Sequence, residues 1–178
     1  MTDVELKIVD PDTGDEVATG ESGELLCRSY TTMLGYYNKP EATAETIDAE
    51  GWLHSGDLAR MRPDGHVVFI GRLKDMLKVG GENVAPAEME GRLRELPGVN
   101  DAAVVGLADE RLGEVPVAYV LSDPSVTLDT DELLEHLKGK VASFKLPRHI
   151  KIVNELPMTA TGKIRKVELR DHAERDFS

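Results

Sequence analysis

Gly71-Arg72-Leu73-Lys74-Asp75-Met76-Leu77-Lys78-Val79-Gly80-Gly81-Glu82-Asn83 is the stretch at which the sequence changes its grammar. Before it, short strand patterns are separated by turns. Val4, Leu6 and Ile8 alternate with Glu5 and Lys7 as a half-buried strand does, and Pro11-Asp12-Thr13-Gly14-Asp15 has turn chemistry. Gly23 to Ser29 reads as a second strand, and Pro40 opens a short helix to about Ile47. Asp57 to Ile70 reads as a hairpin turning at Pro63-Asp64-Gly65. After the stretch, helices alternate with strands. Met76 to Val79 predicts a short strand, and Pro86 starts a helix to about Leu96 that buries Met89, Leu93 and Leu96. Ala102–Leu107, Pro116–Leu121 and Ile150–Val153 predict three strands. Asp129 and Glu132 form a capping box for a helix burying Leu133, Leu134, Leu137 and Val141, and a closing helix runs from Lys166 to Glu174. The expected fold is α+β: a small, strand-rich, barrel-like unit over 1–72, then an α+β domain over 73–178 with a three-stranded sheet and flanking helices.

Composition narrows the class. The chain has 178 residues, 40% hydrophobic and 30% charged, which suits a packed globular protein. No apolar stretch approaches the roughly 18 residues of a membrane span, and the N-terminus lacks the basic start and apolar run of a signal peptide. Cys27 is the only cysteine, so an internal disulfide and a cysteine-rich zinc module are excluded, and a reducing cytoplasm is the expected compartment. A net charge of -12 argues against nucleic-acid binding. Residues 138–170 run against that trend, with nine Lys and Arg against Glu155 and Glu168. Such a block fits either a local anionic partner or a solvated helix face.

Three segments carry residue types that suit chemistry. Met158-Thr159-Ala160-Thr161-Gly162-Lys163 can bring an ammonium and backbone N–H groups against a phosphate, or can be an ordinary turn. It is no Walker A loop: Pro157 stands where the first Gly belongs, and Ile164 replaces the Mg²⁺-binding Ser or Thr. His54-Ser55-Gly56-Asp57 is read as a loop; it lacks a nucleophile elbow, and consecutive residues cannot assemble a triad. Asp57 can accept hydrogen bonds from a vicinal diol such as ribose, or can simply end a turn. Gly80-Gly81 suits a close backbone approach to an extended ligand, or a hairpin loop. The five histidines have no metal-ligand spacing, so no bound metal is expected.

Taken in order, these segments resemble the C-terminal portion of the adenylate-forming superfamily: acyl-CoA synthetases, luciferases and adenylation domains. Gly35-Tyr36-Tyr37-Asn38-Lys39-Pro40 with Thr43 resembles the family's GYYxxPExT segment, and Trp52-Leu53-His54-Ser55-Gly56-Asp57-Leu58 its TGDL motif. Gly71 to Asp75 resembles the GRxKD hinge, and Gly80-Gly81-Glu82-Asn83-Val84 with Pro86 and Glu88 the GGENxxPxE stretch of acyl-CoA ligases. Gly106, Asp109, Gly113 and Glu114 match GxxDxxxGE, and Leu156-Pro157 through Thr161-Gly162-Lys163 the closing LPxTxxGK motif.

The resemblance implies an AMP-forming fatty or medium-chain acyl-CoA ligase, with ATP (as Mg-ATP), CoA and a carboxylic acid as substrates. By the same resemblance Asp57 and Arg72 bind the ATP or AMP ribose, and Lys163 is the catalytic cation at the α-phosphate. Lys74 and Asp75 form a hinge. Lys78, Gly80, Gly81, Glu82, Asn83, Gly113 and Glu114 make up the CoA thiolation face. A full member carries its phosphate loop, acyl pocket and Mg²⁺-binding Glu ahead of these motifs. The missing N-terminal part is therefore an expected partner, the chain alone is expected to be inactive, and its uncovered docking face is expected to self-associate. A non-catalytic CoA- or carrier-binding module, and an adenylation domain using a carrier-protein thiol, are the alternatives.

Overall fold

The computed structural model describes residues 3–177. Two compact units divide between Lys74 and Asp75. In the first, β1 (Val4–Val9), β2 (Ser22–Ser29), β3 (Leu53–Met61) and β4 (Val67–Arg72) form an antiparallel meander in the order β1-β2-β3-β4, with α1 (Pro40–Thr46) between β2 and β3. The sheet is open rather than barrel-like: no pairing joins β1 to β4 among the described residues, and four strands are too few to enclose a packed interior. The β3–β4 turn forms where the sequence predicts it, with Gly65 at φ +80° and its N–H on the Arg62 carbonyl at 2.9 Å.

The alternation predicted for β1 holds only in part. Ile8 and Val9 are both buried, on opposite faces, whereas Leu6 is exposed. Val9, Leu26 and Trp52 form the small core of this unit. Lys7 Nζ and the Arg28 guanidinium lie 4.4 and 4.5 Å from the Trp52 ring centroid, so cations cover the indole beside this small core.

The second unit is built on five strands, not three. β7 (Val99–Asp109) and β8 (Gly113–Ser122) form a long antiparallel hairpin, and β9 (His149–Val153) pairs parallel to β8 from Val117↔His149 to Leu121↔Val153. The two extra strands are a short hairpin of β5 (Leu77–Val79) and β6 (Glu82–Val84), attached to β8 at Val79↔Gly113. α2 (Pro86–Leu93) and α3 (Thr130–Leu137) cover one face, and α4 (Lys166–Phe177) the other. Ala102, Val104, Ala118 and Val120 point to the α2/α3 side, and Ala103, Val105, Val117 and Tyr119 to the α4 side. A hairpin covered on both faces needs consecutive apolar residues, and β7 and β8 supply them. α2 stops at Leu93, short of the predicted Leu96. On α3 Asp129 caps the Asp131 N–H, while Leu134 is only half-buried. Among the described residues no helix is long and apolar enough to cross a membrane.

The end of α4 is held by Phe177, stacked on His149 with ring centroids 4.4 Å apart. Burial, then the Arg148 charge, pushes the His149 pKa below its usual value. The folded state therefore resists taking the proton that the unfolded chain accepts near pH 6.5, so this contribution is present above that pH and is lost as pH falls through it. In urea unfolding followed by circular dichroism, acidification from pH 7.5 to 5.5 should destabilise the wild type relative to His149→Phe, which keeps the stack without the proton. A pH-independent difference between the two would refute this assignment.

Candidate functional site

In the first unit, His54-Ser55-Gly56-Asp57 lies within β3, not in a loop. It forms a bulge: the β2–β3 register shifts between Glu24 and Leu26, with Gly56 at φ +68°. Ser55 Oγ donates to the Leu25 carbonyl at 2.6 Å and accepts the Asp57 N–H at 3.0 Å, which leaves it no role as a nucleophile. The organiser is Glu24, a buried carboxylate that no sequence motif singled out. Its Oε1 accepts the Gly56 N–H at 3.0 Å, and its Oε2 lies 2.9 Å from His54 Nδ1. Glu24→Ala should lower the stability of this unit by about 1–3 kcal/mol, because a buried N–H loses its acceptor. Glu24→Gln, which keeps an acceptor oxygen, should lose less. Thermal melts of the two variants check this, and equal losses would count against it.

The bulge delivers Asp57 opposite Arg72 on β4. Arg72 Nε is 2.7 Å from Asp57 Oδ1, close enough for an ion pair. Its N–H nevertheless misses the oxygen: buried Oδ1 has no hydrogen-bond partner among the described residues.

In the second unit the thiolation-face candidates meet at one corner. Gly80 and Gly81, at φ +60° and +88°, form the tight turn between β5 and β6, where both central residues need positive φ. The Gly80 N–H donates to the Leu112 carbonyl at 2.7 Å. Glu114 Oε2 accepts the Lys78 N–H at 2.7 Å, so its carboxylate tethers β5 to β8. Gly113, at φ +79°, passes close to Lys78: a Cβ there would stand 3.2 Å from the Lys78 carbonyl oxygen. Lys78, Glu82 and Asn83 are exposed beside the turn. A groove of about 470 Å³ runs past Gly80 to Phe144 and Arg148. Lys74, the last residue of the first unit, is exposed, and Asp75, the first of the second, pairs with Arg170 of α4 at 3.2 Å.

Lys163 ends a small hairpin. The Thr159 N–H donates to the Lys163 carbonyl at 2.7 Å, the Lys163 N–H donates to Thr159 Oγ1 at 3.0 Å, and Gly162 takes φ +77°. The basic block around it is largely spent. Lys138, Lys140, Lys145, Arg148 and Lys151 pair with Glu135, Glu95, Glu88, Asp109 and Asp176. Arg165, Lys166 and Arg170 pair with Glu168, Glu90 and Asp75. Of the block's nine cations, only Lys163 has no carboxylate partner among the described residues. Seven of the eight partners lie outside the block in sequence, so its charge sum gave no sign of this.

Residues 88–163 match the family described as the AMP-binding enzyme C-terminal domain. A 3-[(3aS,4S,7aS)-7a-methyl-1,5-dioxo-octahydro-1H-inden-4-yl]propanoyl:CoA ligase of Rhodococcus jostii is 48% identical over 158 residues, covering 89% of this chain and 31% of the relative. A protein of Bacillus subtilis described as the putative acyl-CoA synthetase YngI is 46% identical, over 94% of this chain and 30% of its own. The ATP-bound crystal structure of MatB from Rhodopseudomonas palustris superposes on all of this chain and 35% of its own, with a TM-score of 0.91 at 32% identity. Residues 88–163 thus fall in the AMP-binding enzyme C-terminal domain family. These curated relatives are CoA ligases, and the chain spans about a third of their length.

Proposed function

We propose that the chain is the C-terminal part of an AMP-forming acyl-CoA ligase acting on a fatty or medium-chain carboxylic acid. The observation that carries this is the unpaired Lys163 on its glycine-containing hairpin, in a segment where every other cation is matched. In the first half-reaction the acid's carboxylate oxygen bonds to the α-phosphorus of Mg-ATP, the α–β bridge breaks, and pyrophosphate leaves. Lys163 neutralises the charge that collects on the α-phosphate oxygens, and Asp57 accepts from the ribose hydroxyls beside Arg72. In the second, the CoA thiol attacks the acyl carbonyl and AMP leaves. Gly80 and Gly81 let the pantetheine arm pass close to the backbone, flanked by Lys78, Glu82, Asn83, Gly113 and Glu114. Rotation about Lys74 and Asp75 exchanges one set of residues for the other at a shared site. The phosphate loop and acyl pocket belong to the N-terminal partner, so the chain alone is inactive, and exposed Tyr30, Leu34, Tyr36 and Tyr37 favour docking or self-association. A cytoplasmic setting fits the single free cysteine.

Titrating the labelled chain with CoA and, separately, with ATP tests the acceptor face. The expected result is amide shifts at Gly80, Gly81, Glu82, Gly113 and Glu114 with CoA and little response to ATP. A CoA response elsewhere, or none, removes that face from the proposal.

A further inference from the structure

Glu90 is a buried carboxylate in the middle of α2, 7% exposed, that the reaction above does not use. Its Oε1 accepts the Val104 N–H at 2.8 Å, on the edge of β7 that no strand covers among the described residues, and lies 2.7 Å from Lys166 Nζ. Lys166 is the first residue of α4, and its own side chain is largely buried. A cation at a helix N-terminus faces the positive end of the helix dipole, so this lysine is held against a local electrostatic cost. Buried ion pairs are also a poor source of stability, since well-packed apolar residues of similar size usually serve at least as well. What such a pair supplies is a fixed position.

The position it fixes is close to the Lys163 hairpin. That loop is closed at its base by the Met158↔Ile164 bridge and by the Arg165 N–H on the Pro157 carbonyl at 2.8 Å. Half-buried Ile164 and the paired Lys166 then tie the base to the body of the unit, one residue and three residues after Lys163. We propose that Glu90 and Lys166 are positioning residues for Lys163, locking the start of α4 so that the exposed hairpin presents its ammonium in one place. This rests on the reading of Lys163 as the adenylation cation.

The test uses the ligase containing this chain and assays its two half-reactions separately. Lys166→Met should slow acyl-adenylate formation about tenfold to a hundredfold, as misplacing a reacting group does, and leave CoA transfer from supplied acyl-AMP unchanged. Lys166→Arg should restore most of the rate, and Glu90→Gln, which keeps an acceptor for Val104, should behave like Lys166→Met. In the Lys163→Ala background, Lys166→Met should add no further loss, because the two act as one unit. An equal loss in both half-reactions, or an additive loss in the double variant, overturns the positioning role in favour of a structural one. An unimpaired adenylation rate in Lys163→Ala alone overturns the reading beneath it. As a check on the chain by itself, ¹⁵N relaxation should show Gly162 and Lys163 loosened in Lys166→Met while Val104 keeps its exchange protection. Unchanged relaxation at the hairpin would also overturn the proposal.

Discussion

Replacing Lys163 with alanine should reduce the rate of acyl-adenylate formation by about 10²- to 10³-fold, the effect of removing one preorganised donor from a developing oxyanion. The magnitude follows from the environment of the side chain. None of the described carboxylates pairs with this ammonium, so no internal interaction must be broken before it reaches a phosphate. Lys163→Arg should recover little, because a planar fork cannot reproduce a compact point charge at the end of a five-residue turn. Pyrophosphate exchange in the ligase containing the chain measures the first step, and thioester formation from supplied acyl-AMP measures the second. Retained thioester formation beside a collapsed exchange rate is the expected pattern. Equal collapse of both would place Lys163 in the shared architecture instead of in adenylation.

Gly23→Ala should be the most damaging single-methyl change in the first unit. A Cβ at Gly23 would stand 2.3 Å from the Val9 carbonyl oxygen and 2.9 Å from Ile8 Cγ2. The obstacle is space and not backbone angle, and the nearest atom is backbone, which cannot rotate away. The β1–β2 ladder must therefore separate where Val9 pairs with Glu24. Overpacking of this kind costs about 1–3 kcal/mol, and with backbone as the obstacle the upper end is expected. Since Glu24 is the next residue, the same displacement loosens the bulge that delivers Asp57. Trp52 is the chain's only tryptophan and lies in this unit's core, so its fluorescence follows this unit's unfolding. A urea midpoint lower by about 1 M is expected, given slopes of roughly 1–3 kcal/mol/M. A midpoint equal to wild type would mean that the sheet yields here at no cost.

The long apolar strands were legible in the sequence because burial on both faces leaves a continuous run that periodicity cannot hide. The β5–β6 pair was half missed, since three residues are too few to show a period. His54 to Asp57 looked like a loop because its residues are small and polar. What makes it a strand is Glu24, thirty residues away, and a partner at that separation leaves no local mark. The same is true of charge. The basic block reads as a positive patch until Glu88, Glu90, Glu95 and Asp109 are brought beside it by the fold. Motif residues around Gly80 and Lys163 were legible as turns because glycine and threonine declare backbone geometry locally.

The β7–β8 hairpin has a consequence for the order of assembly. Its ladder runs from Val99↔Ser122 to Asp109↔Gly113 around a three-residue turn, so it closes by short-range chain diffusion. β9 and α4 must cross a longer span before they meet that ladder, which suits them to late arrival on a sheet already made. Substitutions in the Lys163 hairpin then fall outside the folding nucleus, and act on how fast the domain opens more than on how fast it forms. The segment that carries Lys163 can then change without endangering the chain's first productive collapse.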